Sequence, residues 1–270
     1  MTILPNTYSN MLSGNYNFPT MTMKMAFTPN YANNPSYISD ITGIVSTSDP
    51  ISSLGITIDT GPFSSSASTS LTASDCYFSS VPAYINSYTY FYIYNDTGNP
   101  STSPILFSTT SYNLNLYGEM FYKFTNNKLC YISDYYYNTR YIFRKTRKKM
   151  LEGSLGNFNN LNLRVAFLKN SYVLGTTDVY NFEFYSTVSP YAASTGRVIN
   201  PYIEGGSYKT PSVVVSDTLT SGTINSIVVY HDTGNPATSP LICYYSAVSP
   251  ITIDTKYPSF GFYQNTIFSL

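Results

Sequence analysis

The chain has 270 residues, enough for one large domain or two of ordinary size. Its 14 basic side chains balance 14 acidic ones, and only 10% of residues carry charge, so the basic excess of a phosphate-neutralising nucleic-acid binder is missing overall. Apolar residues reach 43%, with 29 Tyr, 16 Phe and no Trp; that is enough to build cores and excludes general disorder, and no run approaches the roughly 18 apolar residues that a membrane-spanning helix needs.

Residues 1–22 carry no charge and combine Asn, Pro, Tyr and Met. They read as an extended N-terminal arm or an added edge strand, without the basic-then-apolar order of a secretory signal. A first domain is expected over residues 23–131, opening with the strand Lys24-Met25-Ala26-Phe27. Ser/Thr/Gly-rich stretches such as Ser46 to Ser53 and Ser64 to Ser74 punctuate its middle. From Tyr88 to Tyr94, tyrosines alternate with Thr89, Phe91 and Ile93. This is the period-two pattern of a strand, with Phe91 and Ile93 on its core face. The run YNDTGNPSTSPIL (Tyr94 to Leu106) follows, and Phe124 to Leu129 closes the domain as a hairpin with an Asn-containing turn.

Residues 132–161 read as a linker. It begins near Tyr135-Tyr136-Tyr137 and holds six basic residues between Arg140 and Lys149, which gives it a charge of +4 against −4 for the rest of the chain. A second domain is expected over 162–270. Its run YHDTGNPATSPLI (Tyr230 to Ile242) matches the first at nine of 13 positions, at an offset of 136. Ile227 and Val229 fall where Phe91 and Ile93 stood, Arg164 to Phe167 matches the opening strand, and Phe262 to Ile267 matches the closing hairpin. Gly205-Gly206-Ser207 and Thr220-Ser221-Gly222 punctuate this copy, and neither copy shows helical periodicity. Repetition of short, punctuated strands predicts an all-β chain of two tandem antiparallel β-sandwich domains joined by a basic linker.

The repeated turn is the most specific local feature. Asp96 and Asp232 can accept hydrogen bonds from amides two residues on, Gly98 and Gly234 supply positive φ, and Pro100 and Pro236 fix the exit. No second carboxylate stands near either aspartate in the motif, so a hard-cation site is not expected, nor is any other cofactor. His231 is the only histidine, and Asn95 takes its place in the other copy, which argues against a Ser-His-Asp triad. Glu119, Glu152, Glu183 and Glu204 form no paired-carboxylate motif, and Gly205-Gly206 lacks the spacing of a phosphate loop. No catalytic residue is therefore assigned.

Cys76, Cys130 and Cys243 read as scattered thiols of a protein folded in a reducing cytoplasm. Three roles are open for Arg144, Lys145, Arg147, Lys148 and Lys149: a solvated face, an interface that docks on the acidic domains of a neighbouring subunit, or contact with nucleic-acid phosphates. Tyrosine-rich surfaces have two open roles, stacking on sugars and packing at protein interfaces.

Each copy resembles a small β-domain common among tailed-bacteriophage virion proteins. That domain opens with a K-x-A-F/L strand, carries a Ser/Thr/Gly-rich middle and a Y-x-D-T-G…T-S-P strand–turn–strand, and closes on a hairpin. The matching residues are Lys24 to Phe27, Tyr94 to Leu106 and Phe124 to Leu129, then Arg164 to Phe167, Tyr230 to Ile242 and Phe262 to Ile267. The resemblance covers both copies but neither the arm nor the linker. It implies a non-enzymatic structural component of a virion, such as a capsid decoration, neck, tail or baseplate protein, assembled in the host cytoplasm. Its implied partners are copies of itself and other virion proteins in a symmetric assembly, with no membrane contact. The alternative expectation is a virion adhesin that binds host-surface glycans through exposed tyrosines.

Overall fold

The computed structural model describes residues 1–58, 68–124, 128–133, 140–169, 172, 181–215, 222–253, 259–260, 262 and 266–269. Among them the structure is mostly antiparallel strand with two helices, and no helix is long and apolar enough to cross a membrane. The chain divides into two compact units. Met1–Met11, Tyr16–Thr57 and Ser70–Tyr131 form the first; Leu12–Asn15, Ile58–Thr69 and Ile132–Leu270 form the second.

The first eight strands are β1 (Thr2–Ile3), β2 (Met23–Thr28), β3 (Ser46–Thr47), β4 (Ser53–Ile58), β5 (Ser68–Ala73), β6 (Cys76–Asn95), β7 (Ile105–Tyr122) and β8 (Lys128–Ser133), with helix α1 over Pro5–Leu12. They make a five-stranded sheet in the order β1-β7-β6-β2-β3 and a three-stranded sheet, β4-β5-β8. The long β6–β7 hairpin runs from Tyr94↔Ile105 to Cys76↔Tyr122. Phe91 and Ile93 are buried as expected, with the Phe91 ring 5.8 Å from that of Phe27. The opposite face is covered too. Tyr92 and Tyr94 are buried there with Leu4, Ile38 and Ile41. Alternation alone marks one core face; the second is supplied by the segment before β2 and by the loop after it.

The remaining strands are β9 (Arg140–Ile142), β10 (Leu163–Lys169), β11 (Ala192–Ile199), β12 (Tyr202–Glu204), β13 (Ser207–Lys209), β14 (Ser212–Val215), β15 (Gly222–His231), β16 (Leu241–Ile253), β17 (Ser259–Phe260) and β18 (Thr266–Ser269), with helix α2 over Arg144–Leu151. Their sheets run β17-β14-β11-β10-β15-β16-β9 and β12-β13-β18. Gly205 and Gly206 form the β12–β13 turn at φ 55° and 78°, the doubly positive backbone of a tight hairpin.

Two expectations require correction. The segment 1–22 supplies the added edge strand, β1, but is not an extended arm, since it also holds α1 and a 3-10 turn at Phe18–Thr20. The segment 132–161, expected as a linker, holds β9, α2 and a 3-10 turn at Phe158–Asn160. The two segments are built alike. Ile3 pairs with Phe107 and Ile142 with Cys243, partner positions separated by the same 136 residues as the repeated turns. Thr7 Oγ1 donates to the Leu106 carbonyl at 2.9 Å, and Thr146 Oγ1 donates to the Leu241 carbonyl.

Ile3, Thr7, Met11 and Leu12 thus correspond to Ile142, Thr146, Met150 and Leu151, all of them buried. The repeat opens with a strand and a helix. Its signal hides in the sequence because α1 is uncharged while α2 is RKTRKKML, so only the inward positions agree.

Other expectations fare unevenly. The stretch Ser64 to Ser74 is not all punctuation, since it contains β5, whose Thr69, Leu71 and Ala73 are buried. The closing hairpins expected at Phe124 to Leu129 and Phe262 to Ile267 are corrected: the flanking strands β7 and β8 lie in different sheets, as do β17 and β18, while residues 125–127 and 263–265, Tyr135-Tyr136-Tyr137 and Thr220-Ser221 lie outside the described residues. Phe124, Leu129, Phe262 and Ile267, at the ends of these connections, are buried.

Candidate functional site

The repeated turn joins β6 to β7 in the first unit and β15 to β16 in the second. In the first, the Gly98 amide donates to Asp96 Oδ1 at 3.0 Å, and the Asp96 amide donates to the Thr22 carbonyl at 2.7 Å. In the second, the Gly234 amide donates to Asp232 Oδ1 at 2.9 Å, and the Asp232 amide donates to the Asn162 carbonyl at 2.8 Å. Gly98 and Gly234 sit at φ 80° and 83°, the left-handed region that glycine enters without steric cost. Pro100 begins a 3-10 turn capped by Asn99, whose side chain accepts from the Ser101 amide. The Asn235 side chain accepts in the same way from the Ala237 amide, beside Pro236.

Two further residues hold each turn, and they were not among the expected turn positions. Ser103 and Ser239 are buried; each hydroxyl donates to the carbonyl of Asn99 or Asn235 at 2.9 Å and accepts from the amide of Thr97 or Thr233. The second oxygen of each aspartate meets a cation from the opening strand: Lys24 Nζ lies 2.8 Å from Asp96, and Arg164 lies 3.3 Å from Asp232. The Lys24 hydrogen bond, with the Gly98 amide second, holds the Asp96 carboxyl below the usual carboxylate range. Both oxygens of each carboxylate are thus engaged, one closing the turn and the other locking it to its neighbouring strand. The signal for the cation was the Lys/Arg at the head of the first matched strand, but pairing it with the turn requires the β2–β6 and β10–β15 registers. His231 flanks the second turn, with Nδ1 3.4 Å from the Asn162 carbonyl oxygen.

The basic run does not present five cations. Arg144 and Arg147 are fully buried in α2, while Lys145, Lys148 and Lys149 are half-buried. Lys148 pairs with Glu152 at 3.6 Å, and Lys149 lies 3.0 Å from Glu183 and 5.4 Å over the Phe184 ring. The inward face of a short helix carries the arginines, so a neighbouring subunit or a phosphate would meet lysines alone, two of them already paired. Cys76 and Cys243 are buried, and burial pushes the Cys76 thiol up to about 12.

Among the described residues both units expose tyrosine, Tyr31, Tyr37 and Tyr88 on the first and Tyr191 and Tyr202 on the second. Tyr31 is 66% exposed, its ring 5.3 Å from that of Tyr90, which in turn lies 5.1 Å from Tyr88. A cavity of about 350 Å³ lies beside them, lined by Tyr31, Tyr90, Tyr92, Asn34 and Thr110 among others. No family model matches the sequence, and comparisons with curated proteins and with solved structures gave no match.

Proposed function

We propose that the chain is a non-enzymatic structural component of a tailed-bacteriophage virion, a capsid decoration, neck, tail or baseplate protein that acts through interfaces. In this reading it is built from two tandem antiparallel β-sandwich repeats, is assembled in the host cytoplasm, and has copies of itself and other virion proteins as partners. The observation that carries it is the twice-built strand–turn–strand. The same carboxylate, glycine, asparagine and buried serine hold each turn by the same hydrogen bonds, on the segment that resembles virion β-domains. Rigid turns on paired strands suit a part that positions surfaces, and two equivalent units in one chain can supply quasi-equivalent contacts in a ring or lattice. The test is mass spectrometry and cryo-electron microscopy of purified particles. A fixed copy number with density following the particle's symmetry is expected; particles that lack the chain overturn the proposal.

A second reading, a host-surface glycan-binding adhesin, is favoured by the Tyr31–Tyr90–Tyr88 row. Flat, amphipathic rings stack on sugar faces at low entropic cost. Neutral-glycan binding that is lost in Tyr31→Ala supports this reading, and an array without saturable binding removes it.

A further inference from the structure

A groove of about 690 Å³ opens beside β10 and β11 of the second unit, with Arg164, Arg197, Asp232, Asn160, Asn162 and Asn200 in its walls. Arg164 and Arg197 are direct partners in the β10–β11 ladder. Such partners share one face of the sheet with Cβ atoms about 5 Å apart, and like charges placed there repel. Arg164 is compensated by Asp232 at 3.3 Å. Arg197 is exposed, and among the described residues no acidic side chain pairs with it. These three groups leave one positive charge in excess, at the outer arginine. The Asn162 amide is held in place, donating to the Asp232 carbonyl at 3.3 Å. Asn200 stands at φ 45°, a left-handed backbone that asparagine tolerates better than most residues.

We propose that this groove binds an acidic saccharide, with Arg197 taking the carboxylate and the asparagine amides taking the hydroxyls. A guanidinium fork matches a carboxylate with two parallel hydrogen bonds. Each asparagine side chain offers both donors and an acceptor, which is what a ring of hydroxyls requires. The exposed apolar wall is small, limited to residues such as Leu161 and Pro201, so the groove suits a hydroxyl-rich ligand better than the apolar side of a peptide. The inference is independent of the virion reading and of the tyrosine row, neither of which involves Arg197.

The experiment exposes the full chain to an array of uronic- and sialic-acid oligosaccharides printed beside their methyl esters. Saturable binding to the acids is expected, weakened about tenfold by esterification and about tenfold by Arg197→Ala. Arg197→Glu separates binding from folding. It replaces repulsion of Arg164 by attraction, so the variant is expected to melt no earlier than the parent and yet to lose the acidic glycans. A blank array, esters bound as well as acids, or undiminished binding by Arg197→Ala overturns the proposal. So does an oligoglutamate peptide bound through Arg197 while the array stays blank.

Discussion

At the residue scale, glycines that look alike carry different penalties. A Cβ on Gly98 or Gly234 would meet nothing within 4 Å, so only the left-handed backbone opposes substitution. Gly98→Ala and Gly234→Ala are each expected to cost about 1 kcal/mol in urea denaturation; unchanged midpoints would show that the turns relax freely. Gly14 has the same sign of φ but no space, since its Cβ would lie 2.5 Å from the Gly156 carbonyl carbon. Backbone must move there, and Gly14→Ala is expected to cost about 2 kcal/mol or more. Asp96 gives a pH dependence. Its folded-state carboxyl is lowered by Lys24 and the Gly98 amide, so its contribution is fully present above the ordinary aspartate range near pH 4 and is lost as pH falls through the lowered value. The stability advantage of the parent over Asp96→Asn, about 1 kcal/mol near pH 6, should therefore shrink in acid. An advantage that stays constant down to about pH 2 would exclude the ion pair as its source.

At the element scale, the helices depend on a hydroxyl. Thr7 and Thr146 are buried and donate to carbonyls of β7 and β16, tying each helix to the strand next to the edge of its sheet. Thr7→Val and Thr146→Val keep the shape and leave those carbonyls short of a donor, at an expected cost of about 1 kcal/mol each in the same assay. Equal stability would mean that water or a shifted backbone replaces the hydroxyl. α2 stops where its sequence says: Gly153 at φ 65° ends it, with the Ser154 amide on the Lys149 carbonyl and the Gly153 amide on the Met150 carbonyl.

Such local features were legible in advance. The D-T-G turn was readable because its hydrogen bonds close within a few residues, and β6 because alternation is a property of neighbours. The partners Lys24 and Arg164 were not, because they arrive from another strand. The helices were missed because eight residues give few inward positions, and the charge of α2 made a built-in element look like a solvated connection. β5 was missed because threonine and serine, turn formers in isolation, are carried into a sheet by Leu71 and Ala73.

At the scale of the whole molecule, each unit encloses a core of its own. Leu4, Ala26, Ile38, Ile41, Tyr92, Tyr94 and Ile105 form one cluster within the first; Phe143, Ala166, Leu168, Tyr185, Val228, Tyr230, Leu241 and their neighbours form another within the second. The second includes the stacked pair Tyr185–Tyr230, 3.9 Å apart, where the first has both Ile38 and Tyr94 in its cluster. Hydrogen exchange can detect such division, since cooperative opening follows the cores that sustain it. Gly98→Ala is expected to lower amide protection along β2, β6 and β7 while leaving β10, β15 and β16 unchanged, and Gly234→Ala to do the reverse. Protection lost uniformly along the chain by either variant would mean that the two cores open as one cooperative body. A single free energy of unfolding would then describe the molecule, and the repeat would be a feature of construction rather than of stability.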